Sequence, residues 1–331
     1  MQLLRKLAFP IALLYGLVVR IRNFCYDHNI FVSKSFKTPI VCIGNLTVGG
    51  TGKTPMVALL ADLLGKKHRL AVLSRGYRRK TRGFLLADAN STAADIGDEP
   101  LQLFISHPGL AVAVDSDRQR GIARLEALVG PELILLDDAF QHRRVIPHLS
   151  ILLTAYGELY MDDFFLPAGN LRDSRLQARR ADLIVVTKCP DKLSDQERQG
   201  IHEALQPLPH QQLLFARLRY DPVLRAGTSS LELSSLEGTE FVLLTGIASP
   251  GPLVSYLQGQ GLSFEHKRYP DHHMFTEDEI GLLRGNRLVI TTEKDYRRIG
   301  EAPANFYYIA VAHELLGNGK NIIKDKLEAL L

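Results

Sequence analysis

Residues 39–55, PIVCIGNLTVGGTGKTP, decide the fold. Pro39 to Ile43 is a short apolar run that ends in Gly44 and Asn45, and Thr54 to Leu64 carries apolar residues at helical spacing. A strand therefore feeds a helix through Thr47, Val48, Gly49, Gly50, Thr51, Gly52, Lys53 and Thr54. Glycines let the backbone wrap phosphates with its N–H groups, and the helix N-terminus adds a favourable dipole. Lys53 is placed to reach β- and γ-phosphates and the Thr54 hydroxyl to ligate Mg²⁺. The strict form of this loop opens on glycine where this chain has Thr47. The match is to its second half plus an extra glycine pair.

Outward from this unit, strand, turn and helix repeat. Arg69 to Ser74, Leu110 to Val114, Glu132 to Leu136, Leu149 to Thr154 and Asp182 to Thr187 are continuous aliphatic runs, with a helix over Gln119 to Val129. Such runs alternating with helices predict a buried, mainly parallel, doubly wound α/β sheet of the P-loop NTPase type. From Tyr220 to Ser235 polar turn residues take over, which reads as a linker. A smaller α/β unit follows, with strands at 240–245, 287–291 and 306–311 and helices at 252–259 and 276–283. The expected organisation is an N-terminal hydrophobic helical segment (1–36), a P-loop core (37–219) and a smaller lobe closing the cleft (220–331).

The chain has 331 residues, 46% hydrophobic and 23% charged, enough to bury two cores. A net charge of +4 is too small to imply nucleic-acid binding. Three widely spaced cysteines without a CxxC pair argue against a disulfide framework or a zinc site and fit a reducing compartment. Leu7 to Val19 is apolar, with Arg5 and Lys6 before it and Arg20 and Arg22 after it. It is shorter than the ~20 residues a spanning helix needs. An interfacial helix with arginines at anionic headgroups, a helix packed on the protein's own core, and a secretory signal lacking its cleavage site are the three readings.

Further chemistry lies beyond the loop. Asp137 and Asp138 end the strand ELILL, the position at which a carboxylate beside a P-loop holds Mg²⁺. Gln141 and His142 follow at once, near the γ-phosphate position. In GDEP, Asp98 before Pro100 makes an ordinary helix cap or, functionally, a base for an acceptor hydroxyl. Asp271-His272-His273 lacks further ligands at zinc-like spacing; it is a surface loop or a His–Asp pair that crosses the cleft. Arginines gather at 75–82, at 118–120 and at 172–180, as solvated faces or as a seat for a substrate already phosphorylated. Thr187 to Asp191 puts Pro190 where a guanine-reading loop needs Asp, which weakens a GTP reading. Spacing assigns no role to TTEKD at Thr291 to Asp295.

Taken together, GNLTVGGTGKTP, LSRGYRR, GDEP, DDAFQHR, LPAGNLRD, VVTKC, PDHH and TTEKD resemble, in order, the tetraacyldisaccharide 4'-kinase family. The resemblance implies transfer of the γ-phosphate of ATP, with Mg²⁺, to the 4'-hydroxyl of a tetraacyldisaccharide 1-phosphate in lipid A biosynthesis. It implies a peripheral or monotopic enzyme at the cytoplasmic face of the inner membrane, with no nucleic acid and no obligate protein partner. Lys53 and Thr54 match the phosphate and magnesium positions, Asp137 and Asp138 the magnesium-linked carboxylates, with Lys53 and Asp138 also among the catalytic positions. Asp98 and His272 match the proposed catalytic pair. Acceptor and phosphate contacts fall on Asn45, Arg75, Arg78, Glu99, Arg118, Gln141, His142 and Arg172. Ala139 replaces the family's usual glycine, so the turn there is expected to differ, and Asp173 stands where the family often has Glu. The competing reading is a P-loop switch ATPase, which usually carries a lysine where this chain has Val48.

Overall fold

The computed structural model describes residues 8–65, 67–285 and 287–331; Arg5, Lys6 and Leu7, the start of the predicted apolar segment, lie outside them. The first helix, α1 (Phe9–Asp27), continues well past Val19. Two runs of strands follow. The first holds β1 (Ile40–Asn45), β2 (Leu70–Ser74), β3 (Leu85–Leu86), β4 (Ala111–Val114), β5 (Leu133–Leu136), β6 (Leu149–Ala155), β7 (Leu183–Thr187) and β8 (Gln212–Tyr220). Its helices are α2 (Lys53–Leu64), α3 (Ala93–Ile96), α4 (Asp98–Ser106), α5 (Arg118–Leu128) and α6 (Asp195–Leu205).

The second run holds β9 (Val223–Ala226), β10 (Ser229–Glu232), β11 (Phe241–Thr245), α7 (Gly251–Gly259), β12 (Phe264–Arg268), α8 (Glu277–Gly281), β13 (Val289–Thr292), α9 (Glu293–Ile299) and β14 (Phe306–Ile309). The chain ends in β15 (Val311–Leu315) and α10 (Gly319–Glu328).

The large sheet has the order β15-β8-β7-β6-β1-β5-β2-β4-β3, parallel from β8 to β4 with antiparallel edges. Its strands read as continuous aliphatic runs because both faces are covered. Along β1 the side chains alternate between two cores: Ile40 and Cys42 pack with α5 and α6, Val41 and Ile43 with α2 and α10. β1 lies between β5 and β6; its own connection runs to β2 on one side while that of β6 runs to β7 on the other, so the loop after β1 opens at the sheet's switch point, where α/β folds seat ligands. The predicted doubly wound core is the one observed.

The smaller sheet, β10-β9-β14-β13-β11-β12, is parallel from β14 to β12, with α7 on one face and α8 on the other. Two features differ from the sequence reading. The stretch read as a linker is a β9–β10 hairpin turning at Gly227, whose φ of 54° suits the tight turns that join paired strands. The apolar run FYYIAVAHEL is two strands, not one: β14 belongs to the small sheet, and β15 returns to pair with β8. α10 then packs Ile323 and Leu327 into the first core. The smaller lobe is thus inserted between β8 and β15 and does not run on to residue 331.

α1 buries Ala12, Gly16, Val19 and Asn23 on one side, while Ile11, Leu14, Leu17, Val18, Ile21 and Phe24 are exposed. Gly16 is required by close approach, because a Cβ there would lie 2.7 Å from the Phe165 ring. Tyr15 Oη donates to the Arg172 carbonyl (3.0 Å), and Arg22 and Asn23 donate to the buried Asp173 carboxylate (3.0 and 2.7 Å). By length and composition the helix could cross a membrane; these bonds instead tie one of its sides to the core.

Candidate functional site

The glycine-rich loop is braced from three sides. Thr187 Oγ1 donates to the Thr51 carbonyl (2.8 Å), Asn45 Nδ2 to Thr51 Oγ1 (2.9 Å), and the Val48 amide to the Asn170 carbonyl (2.8 Å). Gly49 (φ 112°) and Gly52 (φ 84°) adopt backbone angles that side chains rarely take. Beneath Gly52 lies His313 from β15. Its Nε2 donates to the Gly52 carbonyl (2.9 Å), and burial pushes its pKa down to about 4, so the ring is a neutral strut. Nothing in the local sequence marks His313; it reaches the loop only because β15 rejoins the large sheet.

Lys53 opens α2, with Thr54 next to it and half-buried. Lys53 Nζ lies 3.5 Å from Asn45 Oδ1 and 3.8 Å from Asp138 Oδ1. Arg172 grips the Asp138 carboxylate with both terminal nitrogens and also donates to Asn45 Oδ1. Gln141 Nε2 donates to the Asn45 carbonyl (2.7 Å). The turn expected to shift at Ala139 places its left-handed residue at Asp138 (φ 47°), a residue type that tolerates that region better than alanine does. Asp138 is only partly buried; desolvation pushes its pKa up, yet Lys53 and Arg172 outweigh this and hold the carboxyl below its usual range.

Asp137 is a different kind of carboxylate. It is 1% exposed; Oδ2 accepts from Ser74 Oγ (3.1 Å), and Oδ1 has no hydrogen-bond partner. Burial, with the nearby charges of Glu99 and Asp138, raises its pKa to about 7. A buried acceptor without a donor is costly, and a cation at this oxygen removes the cost. Thr54, Asp137 and Asp138 thus fit a hard divalent cation, an all-oxygen donor set beside the phosphate loop.

Other orphaned polar atoms ring the same cleft: Arg118 Nε, Gln141 Oε1, His142 Nε2 and Arg172 Nε. Burial and the Arg118 charge lower the His142 pKa to about 4, so it meets a ligand as a neutral imidazole. Arg118 is buried and donates to the carbonyls of Asp115 (2.8 Å) and Asp137 (3.5 Å). Arg75 is exposed and close enough to affect both groups. The remaining predicted basic residues do not converge here. Arg79 donates to the carbonyls of Val114 and Gly83, Arg120 pairs with Asp115, Arg179 with Asp27, and Arg180 stacks on Phe140.

Across the cleft, Asp98 is not the cap of its helix. Gly97 takes that position (φ 93°), and Asp98 is the first residue of α4, its Oδ1 accepting the Glu99 amide (3.0 Å). Oδ2 faces the smaller lobe, where His272 Nδ1 (3.1 Å) and Arg298 Nη2 (2.8 Å) donate to it. Burial pushes the Asp98 pKa up, but His272, Lys294 and Arg298 together hold it well below the carboxylate range. His272 takes a left-handed φ of 59°, packs at a tilt against the Tyr77 ring, and accepts Arg78 at its carbonyl (2.9 Å). Its neighbour His273 pairs with Glu279 inside the smaller lobe, and no group of His, Cys, Asp or Glu among the described residues is placed to hold a metal there. TTEKD proves to be a site segment: Lys294 donates to Glu99 (2.9 Å) and lies 3.9 Å from Asp98, and Glu293 accepts from Gln102 and Ser106 of α4. Lys294 and Arg298, four apart on one helix face, were the signal available in the sequence.

A phosphate-cradling loop, an unpaired buried carboxylate and a second lobe delivering His272 to Asp98 define a two-lobed P-loop phosphotransferase. Comparison with known proteins narrows this class. "Tetraacyldisaccharide 4'-kinase" of Flavobacterium johnsoniae is 43% identical, covering 99% of this chain and 100% of that protein. That of Porphyromonas gingivalis is 41% identical over 96% and 95% of the two chains. The crystal structure of "apo" form LpxK from Aquifex aeolicus in complex with ATP superposes with a TM-score of 0.80, at 28% identity over 99% of both chains. The chain belongs to the tetraacyldisaccharide-1-P 4'-kinase family, whose pattern matches residues 4–331.

Proposed function

We propose that this enzyme transfers the γ-phosphate of ATP to the 4'-hydroxyl of a tetraacyldisaccharide 1-phosphate. The observation that carries the reading is the Asp98–His272 pair, in which the smaller lobe meets α4 of the P-loop core. The loop amides and Lys53 bind and orient the triphosphate, and Arg172 and Arg118 offset its charge. The acceptor oxygen bonds to the γ-phosphorus as the bridge to the β-phosphate breaks, and ADP leaves. The hydroxyl proton passes to the Asp98–His272 pair, whose nearest oxygen and nitrogen are already hydrogen-bonded. Thr54, Asp137 and Asp138 would hold Mg²⁺, which supplies charge neutralisation at the phosphates. An alcohol is a weak nucleophile at neutral pH, so a positioned base contributes ~10²–10⁴ in rate, and in-line placement most of the remainder.

The exposed side of α1 supports an interfacial location, at the cytoplasmic face of the inner membrane where ATP is available. A strip of Ile11, Leu14, Leu17, Val18, Ile21 and Phe24 lies opposite the side pinned by Tyr15, Arg22 and Asn23. Flotation with vesicles of mixed zwitterionic and anionic lipid is expected to carry the protein upward, and a Leu14→Glu/Leu17→Glu variant to remain below. Equal flotation of both would remove α1 as the lipid contact.

The reading itself is tested with purified protein, Mg²⁺, γ-labelled ATP and tetraacyldisaccharide 1-phosphate in detergent. Label is expected in the lipid. Hydrolysis of ATP with no labelled lipid would overturn the kinase reading in favour of a switch ATPase.

A further inference from the structure

Arg298 sits where the two lobes meet over Asp98, and its surroundings are built to hold it still. Its side chain is 2% exposed, that of Asp295 0% and that of Asp98 10%. Nη1 donates to Asp295 Oδ1 (2.7 Å) and to the Gly246 carbonyl (3.2 Å); Nη2 donates to Asp98 Oδ2 (2.8 Å). Asp295 is itself fixed, its Oδ2 accepting the Gly246 amide (2.9 Å) and Thr292 Oγ1 (2.8 Å). One planar guanidinium thus bridges a carboxylate of the smaller lobe to the carboxylate of α4, a geometry a lysine ammonium does not reproduce.

We propose that Arg298 is a positioning residue for phosphoryl transfer: anchored by Asp295, it holds the Asp98 carboxylate ionised and oriented toward His272 across the closed lobes. The proposal rests on the kinase reading. A buried ion pair of this kind is weak evidence for stability, because desolvation offsets the attraction. Its distinctive product is a fixed carboxylate. The charged groups facing Asp98 are His272, Arg298 and Lys294 from the smaller lobe and Glu99 from its own helix, with Asp295 and Asp271 behind them. Lys294 is bonded to Glu99 and stands 3.9 Å from Asp98, so it does not replace the guanidinium when Arg298 is removed. Asp98 Oδ2 would then keep one hydrogen bond, from His272, with the Lys294 ammonium 3.9 Å away, and burial would push its pKa part of the way back up.

The test is steady-state transfer of label to the lipid acceptor between about pH 5.5 and 8.5, with the full-length protein and the variants Arg298→Met, Arg298→Lys and Asp295→Asn/Arg298→Met. Arg298→Met is expected to lower kcat by about 30–100-fold, to leave KM for ATP within about threefold, and to move the acid limb of the profile to higher pH. Arg298→Lys is expected to recover part of kcat and to move the limb back. The double variant removes both buried charges together, so it is expected to melt near the wild-type temperature while remaining as slow as Arg298→Met. Three results would overturn the proposal: a limb that stays in place, a loss explained by the unfolded fraction alone, or a double variant that regains wild-type kcat. The last would mean that Arg298 only neutralises Asp295. Absence of labelled lipid with the wild-type protein is a separate failure, and it overturns the kinase reading beneath the proposal.

Discussion

Replacing Lys53 with alanine is expected to lower kcat/KM for ATP by about three orders of magnitude, a loss typical of removing a preorganised charge from a dry site. Lys53 Nζ is held between Asn45 Oδ1 and Asp138 Oδ1 at the start of α2, with its side chain 14% exposed. Its position therefore precedes the ligand, and no side chain has to be ordered when phosphates arrive. The loss should appear in both parameters, because the ammonium meets bound ATP and the transition state alike. Arg172 remains on Asp138 in the variant, so the fold is expected to persist. Initial rates over a range of ATP concentrations decide the point. A variant within about tenfold of wild type would mean that the loop amides alone carry the triphosphate.

Asp98→Asn is expected to show the other pattern: kcat falls by ~10²–10⁴ while KM for ATP barely moves, as for a group acting only in the chemical step. The isostere keeps the shape of the contact but not the charge that His272 and Arg298 share. The same substitution has a pH signature in stability. Asp98 has its folded pKa depressed below the ordinary 3.8, so the stability it contributes is fully present above that value and is lost as pH falls below it. The melting temperature of the asparagine variant should lie below wild type at neutral pH, and the gap should close in acid. A gap of constant size from pH 7 to about pH 3 would assign the loss to packing and remove the charge argument.

How much was readable without coordinates follows from how local each feature is. The phosphate loop and the Asp137–Asp138 pair sit within a few residues of the strand that presents them, so spacing alone placed them beside one another. The parallel sheet was readable because strands buried on both faces lose alternation. Asp98 and His272 were each readable as candidates, but that they pair with each other came only through the family resemblance, since two motifs far apart in sequence do not name their partner. Arg298 and Lys294 were missed for the same reason: spacing assigned TTEKD no role, and the helix it opens shows its partner only once α4 is packed against it. The arginines at 172–180 mislead in the opposite direction. Clustered in sequence, they diverge in space, Arg172 to Asp138 and Arg179 to Asp27, because Arg175–Arg180 wind into a 3-10 turn before β7. At Ala310 a continuous apolar run changes sheets, and composition cannot register a change of partner.

That change of sheet has a consequence for how the protein is made. Domains generally fold as their residues emerge, N-terminal parts first. Here the phosphate loop leaves the ribosome early, but its strut, His313, sits in β15 and emerges only after the inserted lobe. The large sheet cannot gain its final edge strand, nor α10 cover the aliphatic face behind the loop, until the whole inserted lobe has been translated. A chain released at any point before His313 holds the complete glycine-rich sequence without the histidine that supports its carbonyl at Gly52. Nucleotide-binding competence is thereby tied to translation through β15.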